Sequence, residues 1–129
     1  MVAYLDSSVF DAGLTAMGTN ANKVFIDTAQ PTTYTAASST NLCGTATPGG
    51  ANATVGAPAV YNTDGRKVTV AAINSGGSIS ATATAAYWAV AYSTGSILYA
   101  SYSLSATQAV TNGNSFTLAA FDISLRGPT

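Results

Sequence analysis

Histidine and glutamate are both absent from this chain of 129 residues, and only five aspartates and four lysines or arginines carry charge. Without histidine, the side chain that most often acts as a general base near pH 7 is missing, and neither a Ser-His-Asp nor a Cys-His arrangement can form. Two aspartates could serve glycoside hydrolysis, but the sequence singles out no pair. We therefore predict that the protein is not an enzyme and has no catalytic residue.

Cysteine is nearly absent too, since Cys43 is the only one. A single cysteine cannot form an internal disulfide, and five scattered aspartates add no clustered set of metal ligands. Cys43 is expected to be a small, partly buried apolar residue. The sequence thus predicts neither a metal site nor a bound cofactor.

Basic residues number only four, and only Arg66 and Lys67 are adjacent. Because so few cations can neutralise only a few phosphates, we expect no nucleic-acid partner. No stretch approaches the roughly 20 apolar residues of a membrane span, so no membrane association is expected either. The opening residues MVAYLDSSVFDAG lack the basic and apolar regions of a secretory signal, which indicates synthesis in the cytoplasm.

Alanine, threonine, serine and glycine are what the chain has in abundance, with 25, 19, 14 and 12 copies that make up 70 of the 129 residues. The length suits one domain, residues 1–129. The formal net charge is −1, so copies of the protein repel one another little and association is favoured.

Tyrosines are the side chains best suited to an interface, because each combines a large rigid face with a polar tip. The alternative for a tyrosine on a sheet is ordinary cross-strand packing. Our candidate residues for protein–protein contacts are Tyr4, Tyr34, Tyr61, Tyr99 and Tyr102.

The first 30 residues predict a helix and one strand. Apolar residues recur at helical spacing over 7–18, with Ser7 or Ser8 as the cap and Asp11 in the first turn. A short strand is predicted at 23–27. Residues 31–63 form an irregular region with possible short strands near 41–46 and 52–56.

From residue 64 to 125, alternating apolar residues predict an antiparallel meander. Its strands are expected at 66–73, 78–92, 97–104 and 115–125, and residues 111–114 are the best hairpin turn in the chain. Trp88, flanked by apolar residues, is expected in the core, between the helix and the sheet or between two sheets. The fold class is therefore mainly β: an antiparallel β-sandwich or jelly-roll-like domain with one short N-terminal helix.

Several segments carry a resemblance to a known family. They are Leu5-Asp6 and FDAGL at 10–14, PTTYT at 31–35, GRKVTV at 65–70, ATAAYWA at 83–89, and TNGNSFTLAAFDI at 111–123. In this order they resemble a family of small virion proteins of tailed bacteriophages, and most of all capsid decoration (cement) proteins. None of these motifs is a known site, so the resemblance assigns no functional residue.

The resemblance implies a structural protein of the virion that stabilises the phage head. Its partners would be the major capsid protein or other virion proteins, and the protein would form a homo-oligomer, with a trimer favoured. Two alternatives stay open. The first is a tail or head–tail connector component of the same virion, and the second is a carbohydrate-binding module that uses its tyrosines.

Overall fold

The structure is a computed structural model that describes residues 4–48, 54–62 and 65–127. The chain is mainly β with one N-terminal helix, which confirms the predicted fold class. The elements are α1 (Ser7–Asn20), β1 (Lys23–Asp27), β2 (Leu42–Ala46), β3 (Ala59–Tyr61), β4 (Gly65–Val70), β5 (Ile73–Ile79), β6 (Ala83–Tyr92), β7 (Ile97–Val110), β8 (Ser115–Leu118) and β9 (Phe121–Leu125), with a π-helical turn at Ala36–Thr40.

The strands form two antiparallel sheets. The larger is six-stranded in the order β7-β6-β1-β2-β5-β8, and the smaller is three-stranded in the order β3-β4-β9. One face of the large sheet packs on α1 and on the small sheet, as in a β-sandwich. Val24 and Val90 of the large sheet share this core with Leu14 of α1 and with Val68 and Val70 of β4.

Helix α1 extends two residues beyond its predicted end at residue 18. Its N-cap is Asp6, not Ser7 or Ser8, because the Asp6 carboxylate accepts a hydrogen bond from the Ser8 backbone N–H at 2.9 Å. Asp11 does not lie at the helix start, where it would meet the helix dipole. It lies in the second turn, where its carboxylate reaches Arg66 of β4.

The opposite face of the large sheet is covered by the segment between β1 and β2. Phe25 packs against Ala37 of the π-helical turn, and the Tyr34 ring meets the Phe25 ring edge-on, with 6.2 Å between centroids and 72° between planes. Strand β1 is therefore buried on both faces, which explains why its sequence, KVFID, is apolar at consecutive positions.

Residues 31–63 contain more regular structure than the sequence indicated. Strand β2 lies where a strand near 41–46 was expected, whereas β3 was not predicted. In place of the possible strand at 52–56, the structure shows one isolated bridge from Val55 to Val70, and residues 49–53 lie outside the described ones.

The predicted meander over 64–125 is wrong, because the chain changes sheet twice within it. The expected strand at 66–73 breaks at residues 71–72, so β4 belongs to the small sheet and β5 to the large one. The expected strand at 115–125 breaks at residues 119–120 in the same way, between β8 and β9. Both breaks fall on an Ala-Ala pair. The alternation of residues that predicts a strand continues across each pair, so the sequence does not indicate the bend.

Two further boundaries differ from the prediction. The expected strand at 78–92 divides into β5 and β6, and residues 74–77, which separate two of the expected strands, lie inside β5. Gly76 has a φ of +80° there, and the pairing of β5 with β8 shifts between Ile73 and Gly77. A glycine-rich stretch thus forms a bulge within a strand instead of a turn.

Candidate interaction surface

Strand β7 is the longest strand, with 14 residues, and it forms one edge of the large sheet. Within the described part of the chain it pairs with β6 alone. An edge strand turns the N–H and C=O groups of every second residue away from its neighbour, so about seven residues of β7 turn backbone groups away from β6. Two carbonyl oxygens of β7 accept hydrogen bonds from side-chain amides: that of Ser101 from Gln30 at 3.4 Å and that of Ala109 from Gln108 at 3.1 Å. The sequence located only the first part of this strand, at 97–104.

Strand β7 has few of the features that usually protect an edge strand from pairing with another chain. Proteins commonly protect such edges with lysine, proline or bulges. No proline and no charged residue occurs in β7, and the whole stretch 68–121 lacks charged side chains. Two shifts in the pairing with β6, between Val90 and Ala91 and between Ala85 and Tyr87, are the bulges that remain. They leave a regular run at 100–103 between them.

Tyr102 stands in the middle of this regular run, opposite Trp88 of β6. Its side chain is 66% exposed, more than expected for a large aromatic residue paired within a sheet. On the other face of the strand, the Ser101 hydroxyl donates to the Pro31 carbonyl oxygen at 2.8 Å. The run is therefore anchored on one face and open on the other.

A second feature lies beside the β7 edge: β7 and β8 are consecutive in the chain, yet they do not pair with each other. The hairpin expected around 111–114 is therefore wrong. Strand β8 pairs with β5 instead, and the turn is tied to that strand by two backbone bonds, from Gly113 N–H to the Ile79 oxygen at 2.9 Å and from Ile79 N–H to the Asn114 oxygen at 2.8 Å. Strands β7 and β8 therefore diverge from the turn without backbone pairing between them.

Two clefts lie along this seam. The one beside the turn has a volume of about 330 Å³ and is lined by Val110 and Phe116, among others. The one at the far end has a volume of about 380 Å³, with Trp88 and Phe121 in its wall beside Ser103. Their linings hold apolar side chains, hydroxyls and two amides, with no acid, base or thiol. These clefts can therefore bind a partner through apolar packing and through hydrogen bonds to neutral groups.

The structure distributes the candidate tyrosines over several elements. Tyr4 precedes α1, is 83% exposed, and donates its hydroxyl to Asp6 at 3.0 Å. Tyr102 is the other candidate with a largely exposed side chain. These two are accessible to a partner.

The other three candidates are half-buried and have partners within the chain. Tyr34 packs on Phe25, as described above, and Tyr99 of β7 packs against the main core. Tyr61 of β3 lies under the Arg126 guanidinium, 5.9 Å from the ring centroid. Only Tyr99 and Tyr102 share a strand, so the five tyrosines do not form one patch.

The ion pairs in the described part of the chain lie on α1, β4 and β9, not on β7. The Arg66 guanidinium bonds the Asp11 carboxylate at 2.6 and 3.0 Å. Asp122 accepts from the Lys67 ammonium at 2.7 Å and from the Thr69 hydroxyl at 2.6 Å. These two bonds hold the pKa of Asp122 below its usual value.

Asp27, at the end of β1, has an environment that the sequence did not reveal. It is 0% exposed, and neither carboxylate oxygen has a hydrogen-bond partner among the described residues. Burial raises the pKa of Asp27 to about 7. Burial and, to a smaller extent, the nearby Asp27 carboxylate also raise the pKa of the Cys43 thiol, which is fully buried rather than partly so.

An unpaired buried carboxylate is costly, so Asp27 is held mostly as the neutral acid below pH 7. It does not line either cleft of the seam. The one sequence signal for it was an acidic residue directly after the apolar run Val24–Ile26.

Comparison with known proteins gives no relative: no family model, no curated protein and no solved structure matches the chain. Among the described residues, no three histidine, cysteine, aspartate or glutamate side chains converge as metal ligands. The helix present in that part of the chain is too short and too polar to cross a bilayer.

Proposed function

We propose that this protein is a structural subunit that works by binding other protein subunits, and that it decorates the head of a tailed bacteriophage. The observation that carries the binding role is the β7 edge, a long strand without charge or proline, open on one face at Tyr102. The phage assignment rests on the resemblance of the sequence segments. The major capsid protein is the proposed main partner.

An exposed sheet edge suits this role, because it binds through backbone hydrogen bonds that any extended partner segment can supply. The clefts beside β7 would then accept apolar side chains of that segment. Their neutral lining means that binding removes no charged group from water, which avoids the largest desolvation cost.

Decoration would stabilise the head by mass action. A protein that binds the assembled shell but not its free subunits lowers the free energy of the assembled state alone. At a free concentration about 100 times the dissociation constant, this contributes about 2.7 kcal/mol for each site. Many weak sites therefore add up to a large stabilisation of one particle.

The test is to locate the protein on particles. Heads and tails from a lysate that contains this protein are separated by density gradient, and each fraction is probed with an antibody against the chain. We expect the protein in the head fraction, in a fixed ratio to the major capsid protein. Its presence in the tail fraction alone would support the connector or tail alternative, and its absence from both fractions would refute a virion role.

A second measurement checks the function itself. Heads stripped of the protein are heated with and without the purified chain, and release of their DNA is followed with an intercalating dye. We expect release at a higher temperature once the protein is added back. Equal release temperatures would show that binding, if present, does not stabilise the shell.

A further inference from the structure

We propose that residues 28–41 form a cover over strand β1 that is shut while the Asp27 carboxyl keeps its proton and opens when that carboxyl ionises. Such a cover goes beyond the proposed function, because it controls access to one face of the large sheet and needs no partner protein. Two features of the fold support it: the enclosed position of Asp27 and the small number of bonds that attach the cover to the sheet.

Asp27 lies between the sheet and the cover. It follows Phe25 by two residues on β1, so the two side chains point to the same face of the strand. That face is the one on which the cover packs, through the Tyr34 ring and through Ala37, which is 0% exposed. The Asp27 carboxyl is fully buried there, without a hydrogen-bond partner among the described residues.

The elements around Asp27 supply no cation. Strand β1 pairs with β2 and β6 and packs on the cover. The titratable side chains that these three elements place on or beside this face are Cys43 of β2, Tyr87 of β6, which pairs with Asp27, and Tyr34 of the cover. No lysine or arginine occurs in the stretch 24–65, and the stretch 68–121 has no charged residue.

The cations of the chain have partners elsewhere. Lys23, at the opposite end of β1, donates to the Thr47 hydroxyl at 2.7 Å. The other three, Arg66, Lys67 and Arg126, contact residues of α1 and of the small sheet. An ionised Asp27 would therefore be an uncompensated charge in a dry interior, which is costly until water reaches it.

The cover is the side of this enclosure that opens at the lower cost. On the sheet side, β1 is paired along both edges, so opening there would break two ladders. The cover, by contrast, has two hydrogen bonds to β7 among its described contacts. The Ser101 hydroxyl donates to the Pro31 carbonyl oxygen at 2.8 Å, and the Gln30 amide donates to the Ser101 carbonyl oxygen at 3.4 Å. Segments with few such contacts open locally at a lower free energy than core strands.

The two ends of the cover form a hinge. The Thr28 N–H donates to the Asn41 carbonyl oxygen at 2.9 Å, and the Asn41 side-chain amide donates to the Ala29 carbonyl oxygen at 3.3 Å. These bonds join the ends of the cover to each other and not to the sheet, so the cover can move while they stay intact. Opening would expose the apolar face around Phe25 and Ala89.

The direction of the pH dependence follows from the environment of the carboxyl. With the cover shut, burial raises the pKa of Asp27 from 3.8 to about 7. With the cover open, water solvates the carboxylate and the pKa returns to an ordinary value of about 3.9. The proton therefore favours the shut form. The equilibrium constant for opening should rise about tenfold per pH unit between about pH 4 and pH 7 and level off on either side.

Amide hydrogen exchange, measured by NMR at pH 5 and pH 7, tests the cover. Each rate is compared with that of an unstructured chain at the same pH, which gives a protection factor. The probe is the Ala37 N–H, which donates to the Thr33 carbonyl oxygen at 3.2 Å. We expect its protection factor to fall about 100-fold from pH 5 to pH 7, while the amides of β6 stay more strongly protected than Ala37 at both pH values.

Three variants separate the switch from the attachment. In Asp27→Asn the protection factor of Ala37 should not change with pH. Asp122→Asn is the matched control, since it removes an exposed carboxylate, and it should behave as the wild type does. Ser101→Ala removes the bond to Pro31 but keeps Asp27, so it should lower the protection of Ala37 at both pH values and leave the fall of about 100-fold unchanged.

Three outcomes would overturn the proposal. The first is a protection factor of Ala37 that does not depend on pH in the wild type. The second is a fall with pH that persists in Asp27→Asn. The third is equal protection of Ala37 and of β6 at each pH, because Asp27 would then ionise only when the whole domain unfolds. None of these outcomes bears on binding to phage heads, so the proposed function stands or falls separately.

Discussion

The indole ring of Trp88 and the phenyl ring of Phe121 lie with their centroids 4.2 Å apart and their planes inclined by 39°. Trp88 belongs to β6 of the large sheet and Phe121 to β9 of the small sheet, so this pair joins the two layers of the sandwich. Both rings also line the larger cleft beside β7. The core and the candidate surface therefore share one aromatic contact.

Replacing Trp88 by alanine should destabilise the fold. We expect a loss of about 3 kcal/mol in the free energy of unfolding, at the low end of the range for such changes because the indole is half-buried. Urea unfolding followed by circular dichroism measures this, since the variant lacks the only tryptophan. Trp88→Phe, the control, should lose less because it keeps a ring against Phe121. An alanine variant within about 0.5 kcal/mol of the wild type would show that the pair does not hold the layers together.

Removing the buried charge at Asp27 should stabilise the protein at high pH. The pKa of this carboxyl is raised from 3.8 to about 7 in the fold, so the folded state holds its proton in a range where the unfolded state has lost it. Stability from this group is fully present below pH 4 and is lost as the pH rises to 7 and above. A shift of this size corresponds to an effect on the order of 4 kcal/mol.

We therefore expect Asp27→Asn to be more stable than the wild type at pH 8, and the difference to vanish near pH 4. Unfolding in urea at several pH values gives the curve. The control is Asp122→Asn: its carboxylate is exposed and bonded, with a lowered pKa, so its removal should not stabilise the fold at pH 8. A difference between the Asp27 variant and wild type that is independent of pH would contradict the prediction.

Two glycines should respond in opposite directions to alanine. At Gly44 of β2 an added Cβ would lie 2.8 Å from the Ser78 carbonyl oxygen, in a backbone contact that cannot give way easily. We expect Gly44→Ala to cost about 1–3 kcal/mol. At Gly13, inside α1, nothing lies within 4 Å of the added atom, and alanine should stabilise the helix by about 0.5–1 kcal/mol. Thermal unfolding of both variants checks the pair, and a stabilised Gly44→Ala would mean that β2 and β5 are further apart.

The candidate tyrosines should separate into structural and binding residues. Tyr34→Ala removes the ring that packs on Phe25, so we expect a loss of about 2 kcal/mol in stability. Tyr102→Ala removes an exposed ring and should change stability by less than about 0.5 kcal/mol, while weakening association through β7. Chemical unfolding and co-sedimentation with phage heads, performed on both variants, measure the two effects. Weaker association for Tyr34→Ala, without unfolding, would reverse the assignment.

The sequence by itself predicted the elements whose signals are local. The helix over 7–18 follows from apolar spacing, and the strand at 23–27 from a short apolar run that ends before Pro31. The strand has the predicted bounds, and the helix extends two residues further than predicted. The fold class follows from the same alternation. The small number of charged residues is also evident from the sequence. Because of it, β7 has no charged side chain to protect its edge.

Only the tertiary structure decided which strands lie side by side. The alternation of apolar and polar residues indicates which side chains share a face of a strand. It does not indicate to which of the two sheets that strand belongs. The alanine pairs at 71–72 and 119–120 continue the alternation through both changes of sheet. The turn at 111–114 was identified, yet its strands separate because β8 finds its partner in β5, more than thirty residues earlier in the chain. Asp27 is buried for the same reason: its surroundings come from β2, β6 and the segment that covers them, and no local pattern specifies contacts that arise only when distant segments pack together.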